Sequence, residues 1–353
     1  MKPFFNRSWV STAILAQPSI IEGRIQKGIL ILNYVDEVLP DFPEIPKYFF
    51  VVERRGWNGI NRSHRADIKL IEDLSTIDEA RNLFPNSILL DIGPADFVDQ
   101  DVFRPVGQSS DIDVIQISCW SPRKRIELLI AAAALLPKRK FIHLGHFEHR
   151  GSTEEQAYRC SCLELAGRIA PNVYFPFGSA TSNHQLPGGK QDINNWINRA
   201  KMGILTTRAE GINRFKMECI AADRPVLVPI DAGPTTQKHI NEKTGGLFQP
   251  TPRELAEALE NSLNNLGRFS PRDYLIQQSG LKKSVNKLQH AVAELCRREG
   301  FAPYPHDITW DGRNQSLHWG EKAFQLLDST LSYLNKTHSK LNCPATGPSL
   351  EQS

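Results

Sequence analysis

From Asp113 onward, short apolar runs alternate along the chain with longer stretches that carry apolar residues at helical spacing. The short runs predict strands, and the longer stretches predict helices. The predicted strands cover residues 113–118, 140–144, 172–176, 202–206 and 225–229. The predicted helices cover residues 122–136, 153–169, 189–200, 211–222, 235–241, 251–264 and 281–298. Strands that alternate with helices in this way predict an α/β fold, with a parallel sheet covered by helices on both faces.

The N-terminal region carries fewer signals of this kind. The apolar runs Gly28–Leu32 and Tyr48–Val52 predict two strands of a small sheet. Residues 53–65 are polar, aromatic and glycine-containing, as expected of a loop that faces a cleft. His64 in this loop is a candidate contact for a second substrate, and a solvated loop histidine is the competing interpretation.

Two carboxylates flank a predicted junction between a loop and a helix. Residues 202–206 predict a strand that runs into this loop, and Gly211 opens the helix. Glu210 therefore precedes a helix N-terminus, and Glu218 lies roughly 10 Å further along the axis at ~1.5 Å per residue. Free amides at such an N-terminus favour phosphate; here they belong to Gly211, Ile212 and Asn213. Two unrelated surface carboxylates explain most pairs at this spacing and are the alternative, but Glu218 lies inside the largely apolar stretch 217–222, where a solvated face is less expected. We therefore predict a nucleotide-sugar site.

A basic loop follows the predicted strand at residues 113–118. Arg123, Lys124 and Arg125 lie where a helix begins, although the helix dipole does not favour positive charge there. A diphosphate partner would account for this placement, and a solvated basic patch is the alternative. Since ligands of parallel sheets bind beyond the carboxyl ends of the strands, this loop and Glu210 are predicted to share one crevice.

The composition fits an ordinary globular protein. The chain has 353 residues, of which 40% are hydrophobic and 23% are charged, so it is long enough for two domains. The net charge of +3 is too small to indicate nucleic-acid binding. Six cysteines do not form a dense disulfide framework, which favours a cytoplasmic protein. No run reaches the roughly 20 apolar residues of a membrane span, but local basic clusters leave peripheral membrane contact open.

Three histidines raise the question of a metal site. His143, His146 and His149 recur at regular intervals, and imidazole is a common metal ligand. Because His143 is predicted to lie near a strand end that passes into a loop, the three rings are not expected to cluster. We therefore predict no metal.

Several short motifs occur in an order typical of a known family. They are Glu210-Gly211, Glu218, Ala221-Ala222, Pro225-Val226, Ala232-Gly233-Pro234 and Thr244-Gly245-Gly246-Leu247. With them, residues 173–247 resemble the donor-binding half of retaining glycosyltransferases of the GT-B fold, family 4 (group 1 glycosyl transferases). Residues 91–105 look like the linker between the two halves of such enzymes. Lys124 falls on the family's phosphate-binding lysine, but Cys119 stands where its partner arginine is usual; Arg123 or Arg125 would substitute.

The resemblance implies two Rossmann-like domains that face a cleft. It implies a reduced acceptor-side domain with the linker (1–106), a donor-binding domain (107–300), a helical extension (301–335) and a disordered tail (336–353). The implied reaction moves a sugar from a nucleoside diphosphate sugar to an acceptor hydroxyl, with retention, in glycan, polysaccharide or glycolipid biosynthesis. The implied catalytic residues are Lys124 and Glu210. The implied donor-binding residues are Arg123, Arg125, Gly211, Ile212, Asn213 and Glu218. No metal or other cofactor is implied.

Two other functions remain compatible with the sequence. The first is a catalytically degenerate relative that binds a glycan, nucleotide or protein partner. Cys119 and the short N-terminal region favour it, whereas the intact pair of glutamates favours turnover. The second is another enzyme on the same fold, such as a nucleotide-sugar epimerase, but the N-terminal half offers no clear pair of acid and base residues for it.

Overall fold

The computed structural model describes residues 11–54, 65–148, 151–176, 189–304, 308, 318–319 and 321–341. The strands are β1 (Ser11–Ala16), β2 (Ser19–Ile21), β3 (Arg24–Gln26), β4 (Gly28–Leu32), β5 (Phe49–Glu53), β6 (Ile68–Leu70), β7 (Ile88–Leu90), β8 (Ile112–Cys119), β9 (Phe141–His146), β10 (Val173–Tyr174), β11 (Ala200–Ile204), β12 (Val226–Pro229), β13 (Gly245–Phe248) and β14 (His318–Trp319).

The helices cover both long and very short segments. They are α1 (Val35–Val38), α2 (Ile45–Tyr48), α3 (Ile77–Leu83), α4 (Ile126–Ala134), α5 (Thr153–Ile169), α6 (Lys190–Arg199), α7 (Arg214–Ala221), α8 (Pro234–Gln237), α9 (Pro252–Asn264), α10 (Pro271–Gln278), α11 (Gly280–Arg298) and α12 (Glu321–Leu341). Short 3-10 turns cover Leu74–Thr76, Pro94–Phe97, Pro122–Lys124, Ile230–Ala232 and Leu266–Arg268.

The C-terminal sheet is parallel throughout, with the strand order β10-β9-β8-β11-β12-β13. Its strands are apolar on both faces because helices cover both. Leu128 of α4 and Leu259 of α9 belong to the core on one face, and Phe215 of α7 and Leu275 of α10 belong to the core on the other. The predicted α/β fold is confirmed, and this sheet with α4–α10 is called the C-terminal domain below.

The N-terminal sheet has the order β14-β1-β4-β5-β6-β7. Strands β4 to β7 are parallel, whereas β1 and β14 extend the sheet with antiparallel pairing beyond the two strands that were predicted. Leu288 and Leu295 of α11 pack in the same core as Ile29 and Phe50. Phe324 and Leu327 of α12 pack on the opposite side of the sheet with α1 and α2. The N-terminal domain, meaning this sheet with α1–α3, therefore shares α11 and α12 with the end of the chain.

Most helices have slightly different bounds from those predicted, and the largest differences lie at α4, α7, α8 and the end of the chain. Helix α4 begins at Ile126 rather than at residue 122, because Pro122–Lys124 form a 3-10 turn, and α8 ends at Gln237 rather than at residue 241. Helix α7 begins at Arg214 rather than at residue 211, because the side chain of Asn213 accepts a hydrogen bond from the Lys216 amide at 2.9 Å and caps the helix there. Helix α12 extends to Leu341, so residues 336–341 are helical where a disordered tail was predicted. Its residues Phe324, Leu327, Leu331 and Leu334 pack on the N-terminal domain. Residues 342–353 lie outside the described residues. Among the helices described, none combines the length and the apolar character needed to cross a membrane.

Candidate active site

Loops from neighbouring strands meet at the carboxyl edge of the C-terminal sheet. Strand β11 lies beside β8, so the loop after β11 contacts the loop after β8. The Arg208 amide donates to the Arg123 carbonyl at 3.0 Å, and the Thr206 hydroxyl donates to the Lys124 carbonyl at 2.5 Å. Gln116 in β8 donates in turn to the Thr206 hydroxyl at 2.7 Å. These three hydrogen bonds hold the basic loop against the segment that leads to Glu210.

Lys124 and Glu210 form an ion pair in this crevice. Lys124 Nζ lies 2.6 Å from Glu210 Oε1, and the Asn213 side-chain amide donates to Oε2 at 2.9 Å. The Thr236 hydroxyl donates to the Glu210 carbonyl at 2.7 Å. The Lys124 side chain is 7% exposed and the Glu210 side chain is 21% exposed. The structure therefore brings together the two residues that were predicted to be catalytic, and it leaves the carboxylate accessible from one side.

Arg125 has a different environment from its neighbour Lys124. Its backbone is left-handed, with φ of 49°, and its side chain is buried. The guanidinium donates to both carboxylate oxygens of Asp231, at 2.7 and 2.8 Å, and to the carbonyls of Thr206 and Thr207 at 2.6 and 3.0 Å. The hydrogen bond from Arg125 lowers the pKa of Asp231. These contacts hold the loop, and a role in donor binding stays a prediction.

Arg123 lies at the outer side of the same loop. Its guanidinium donates to the Ala209 carbonyl at 3.2 Å and lies 3.6 Å from the carboxylate of Glu148. Cys119 contacts the same carboxylate, since its Sγ lies 3.3 Å from Glu148 Oε2. Burial raises the pKa of the Cys119 thiol to about 12. At neutral pH, Cys119 therefore supplies no charge at the position where the resemblance places an arginine, and Arg123 is the nearby cation with the more open side chain.

The predicted amides of Gly211, Ile212 and Asn213 precede α7 rather than forming its first turn. Burial raises the pKa of Glu72, which follows β6 in the N-terminal domain, to about 7, and the backbone of Ile212 opposes this rise. Glu218 lies inside α7 with 8% of its surface exposed. Four of the six predicted donor-binding residues thus lie in one segment, residues 211–218, and the other two lie on the basic loop after β8.

Lys216 is a functional candidate that the sequence reasoning missed. This lysine is fully buried in α7, and its Nζ donates to the carbonyls of Thr236 and Lys238 at 2.7 and 2.5 Å. Burial lowers the pKa of Lys216 to about 7. It fastens the loop around α8 to the helix that follows Glu210. A charged residue within an otherwise apolar helix face was the available signal.

Two of the three histidines examined for metal binding occupy β9. Because their spacing in a strand is odd, His143 and His146 lie on opposite faces of the sheet and cannot share an ion. His143 is fully buried against the edges of Trp120 and Phe175, and burial lowers its pKa to about 3. Across the described ranges, no cluster of three or more His, Cys, Asp or Glu side chains is arranged to hold a metal. His149 and His64 lie outside the described residues.

The linker binds tightly to the C-terminal domain through Asp96. The Asp96 carboxylate lies 2.6 Å from His239 Nε2 and accepts from the Ser279 hydroxyl at 2.9 Å and from the Gly93 amide at 2.8 Å. Lys238 Nζ lies 3.3 Å away. Burial alone would raise the pKa of Asp96, but the His239 hydrogen bond and the nearby positive charge hold this pKa far below its usual value. The anionic Asp96 thus fixes the linker beside the segment that follows α8.

No family model matches the chain, and no curated protein matches it. Solved structures do match. Sucrose-phosphate synthase from Thermosynechococcus elongatus has a TM-score of 0.58 at 15% identity, over 75% of this chain and 73% of that chain. HepE from Anabaena in complex with UDP has a TM-score of 0.56 at 13% identity, over 73% of this chain and 76% of that chain. A glycosyltransferase from Rickettsia africae has a TM-score of 0.52 at 13% identity, over 73% and 79%.

At 13–15% sequence identity, the similarity to these solved structures shows the fold alone. The α/β architecture with parallel sheets matches that of GT-B glycosyltransferases, as the resemblance implied. Assignment to family 4 and the roles of individual residues remain predictions.

Proposed function

We propose that this chain is a retaining glycosyltransferase that moves a sugar from a nucleoside diphosphate sugar to an acceptor hydroxyl in glycan, polysaccharide or glycolipid biosynthesis. One observation carries the proposal. Lys124 and Glu210 come from loops after two adjacent strands and meet at 2.6 Å at the carboxyl edge of the sheet, where ligands of such folds bind. The fold shared with glycosyltransferases supports the same reaction class.

Lys124 is proposed to stabilise the departing diphosphate. As the bond between the anomeric carbon and the phosphate oxygen breaks, negative charge gathers on that oxygen. A fixed ammonium group in a partly dry crevice stabilises such charge more in the transition state than in the ground state. The new bond joins the anomeric carbon to the acceptor oxygen on the same face, and the acceptor proton passes to the phosphate. No protein nucleophile or metal is needed in this scheme.

Glu210 is proposed to orient both Lys124 and the donor sugar. One of its oxygens holds the ammonium group, and the other accepts from Asn213 at the start of α7. A sugar hydroxyl could donate to the same carboxylate from the open side. Glu218, further along α7, is proposed to accept from the ribose. The acceptor would be a glycan, a lipid-linked group or a small molecule bound by the N-terminal domain.

The direct test is calorimetric titration of the protein with UDP, GDP and ADP and with a sugar derivative of each. One nucleotide should bind, and Glu218→Ala should weaken that binding about 10- to 100-fold, the usual loss for a hydrogen bond to a charged group. Glu257→Ala is a matched control, because Glu257 is an exposed carboxylate of the same domain paired with Arg253. If both variants bind the nucleotide with equal affinity, Glu218 is not part of the nucleotide site.

A second candidate function has one observation in its favour. The neutral thiol of Cys119 stands where the resemblance places a phosphate-binding arginine, so the positive charge around the leaving group is smaller than the family pattern implies. A degenerate relative that binds a nucleotide or glycan without turnover would show this change. Nucleotide-sugar binding without release of free nucleoside diphosphate, across a panel of acceptors, would favour this function.

A further inference from the structure

We propose that Lys216 is a positioning residue for the reaction, because its buried ammonium group holds the residue that fixes the backbone of Glu210 beside Lys124. Lys216 contacts neither the nucleotide nor the sugar in this scheme, and it acts through Thr236. The inference rests on the proposed function, since Glu210 is one of the two proposed catalytic residues. It goes beyond that function by assigning a task to a lysine that belongs to none of the motifs behind the resemblance.

Thr236 connects Lys216 with Glu210. Its backbone carbonyl accepts from Lys216 Nζ at 2.7 Å, and its hydroxyl donates to the Glu210 carbonyl at 2.7 Å. The same hydroxyl donates to the Ala232 carbonyl in the preceding 3-10 turn at 2.9 Å. Lys216 and Thr236 are both completely buried. The ammonium group therefore fixes the backbone of Glu210 through one intervening residue.

A second connection reaches the carboxylate of Glu210. The Asn213 side-chain amide donates to Glu210 Oε2 at 2.9 Å, and the Asn213 side-chain oxygen accepts from the Lys216 backbone amide at 2.9 Å. This connection uses the backbone of Lys216, whereas the one through Thr236 uses its side chain. A substitution at residue 216 therefore breaks the Thr236 connection and keeps the cap of α7. The effect of the ammonium group can be measured by itself.

The segment that Lys216 holds is anchored on its other side by the linker. Lys216 Nζ also donates to the Lys238 carbonyl at 2.5 Å. His239 Nε2, in the next residue, lies 2.6 Å from Asp96 Oδ1 of the linker. Residues 236–239 thus lie between α7 and the linker and are held by both. Loss of the ammonium group would release only the side that faces α7, so we expect a local shift of this segment in a folded protein.

The charge of the ammonium group matters for this task. Both acceptors of Lys216 are backbone carbonyls, and hydrogen bonds from a charged donor are stronger than those from a neutral one. Methionine has a side chain of similar length but donates no hydrogen bond. In Lys216→Met, the two carbonyls would therefore lose their donor at a fully buried position, which disfavours the present geometry of the segment.

The experiment measures release of nucleoside diphosphate from UDP-glucose, GDP-mannose and ADP-glucose, with water as the acceptor. The probe that the wild type hydrolyses fastest is then used for Lys216→Met and Thr236→Val. Each variant should lower kcat about 10- to 100-fold, since a misplacement of about 1 Å at the reacting centre can cost this much. KM should stay within about 2-fold, as expected when the lost interaction acts only in the transition state.

Lys201→Met is the matched control for Lys216→Met. Lys201 lies in β11 of the same domain and pairs with Asp113 at 2.8 Å, at the opposite edge of the sheet from Glu210. The substitution is chemically the same, but this lysine has no connection to Thr236. Lys201→Met should therefore keep the kcat of the wild type.

The double variant Lys216→Met with Thr236→Val separates a positioning role from a merely structural one. If Lys216 acts through Thr236, the second substitution removes a connection that is already broken. The kcat of the double variant should then stay within about 3-fold of the slower single variant, whereas independent effects would multiply. Losses that multiply would overturn the inference, because Lys216 would then act by another route.

Hydrogen exchange gives a readout that needs no nucleotide. In the free protein, residues 236–240 should exchange faster in Lys216→Met than in Lys201→Met, because the carbonyls of Thr236 and Lys238 have lost their donor. Circular dichroism and thermal unfolding check that the variants fold. If Lys216→Met does not fold, Lys216→Gln, which keeps a neutral N–H donor, replaces it in both measurements. Unchanged exchange in this segment would overturn the inference.

The outcomes separate this inference from the proposed function. If the wild type hydrolyses a probe and Lys216→Met has the same kcat, Lys216 does not position Glu210 and the proposed function stands. A higher KM with unchanged kcat would also overturn the inference, because Lys216 would then support donor binding. If the wild type hydrolyses no probe while exchange responds as expected, the segment is anchored as described, but the proposed function is wrong and Lys216 serves no sugar transfer.

Discussion

Each domain contains a lysine and a glutamate that pair across neighbouring parallel strands or the loops after them. In the N-terminal domain, Lys69 of β6 pairs with Glu53 of β5, and the side chains are 2% and 3% exposed. In the C-terminal domain, Lys124 pairs with Glu210, and the side chains are 7% and 21% exposed. The first pair is enclosed within its own domain, whereas the carboxylate of the second opens into the crevice. The same chemical pair is thus structural in one domain and available to a ligand in the other.

The two domains also differ in how they build their share of the site. The C-terminal domain fixes its crevice with hydrogen bonds among its own loops, as between Thr206 and Lys124, so its geometry does not depend on the other domain. On the N-terminal side, the linker contacts the C-terminal domain through Asp96, whose carboxylate lies 2.6 Å from His239 Nε2. The crevice is thus fixed by the loops of one domain.

The largest effect is expected from breaking the enclosed pair. Lys69→Ala leaves the Glu53 carboxylate buried without its ammonium partner, which typically costs about 3–5 kcal/mol of unfolding free energy. Denaturant unfolding followed by circular dichroism measures this loss. The double variant Lys69→Met with Glu53→Leu removes both charges and should recover most of it. A loss below about 1 kcal/mol in Lys69→Ala would show that this pair does not stabilise the domain.

Breaking the open pair should affect turnover more than folding. Lys124→Ala is expected to lower kcat about 10²- to 10³-fold, since a fixed charge near the leaving group is lost. Its unfolding free energy should fall less than that of Lys69→Ala, because Glu210 remains partly solvated. The measurement is release of nucleoside diphosphate under saturating donor. Lys201→Ala is the matched control, since Lys201 in β11 pairs with Asp113 at 2.8 Å at the opposite edge of the same sheet.

A smaller effect, on the pH dependence of stability, tests the buried His143, whose ring nitrogens have no hydrogen-bond partner among the described residues. The pKa of His143 is lowered to about 3, so its folded-state pKa lies below its unfolded value of 6.5. His143 therefore contributes its stability above pH 6.5 and loses it as the pH falls, by about 2 kcal/mol near pH 5. His143→Phe should flatten this acid limb in thermal unfolding scans between pH 7 and pH 5. An unchanged slope would assign the acid sensitivity to other groups.

The sequence predicted the C-terminal sheet well because its signals are local. Each strand predicted in residues 113–229 corresponds to a strand of the sheet, and helix 153–169 has the same bounds as α5. The helix after Glu210 begins later than predicted, although Asn213 is a residue type that favours helix N-caps. Helix α10 was missed despite Pro271 at its start, a position where proline is common.

The N-terminal domain was less predictable because its contacts are distant in sequence. Strand β14, near the C-terminal end of the chain, pairs with β1 near the N-terminal end, and no local sequence pattern predicts such pairing. The same limit applies within the site. The meeting of Lys124 with Glu210 follows from two strand ends at one edge, but the pairing of Arg125 with Asp231 depends on how the loops fold.

Within the described residues, the chain passes between the domains twice, and the two passages lie side by side. The first is the linker, and the second is the start of α11, where the Leu281 amide donates to the Val98 carbonyl at 2.8 Å and the Ser284 hydroxyl donates to the Asp96 carbonyl at 2.9 Å. Two adjacent connections restrict the motion of one domain relative to the other more than a single connection would. We therefore expect any opening of the cleft to occur about one axis near Asp96, because twisting or sliding of one domain over the other would strain both passages.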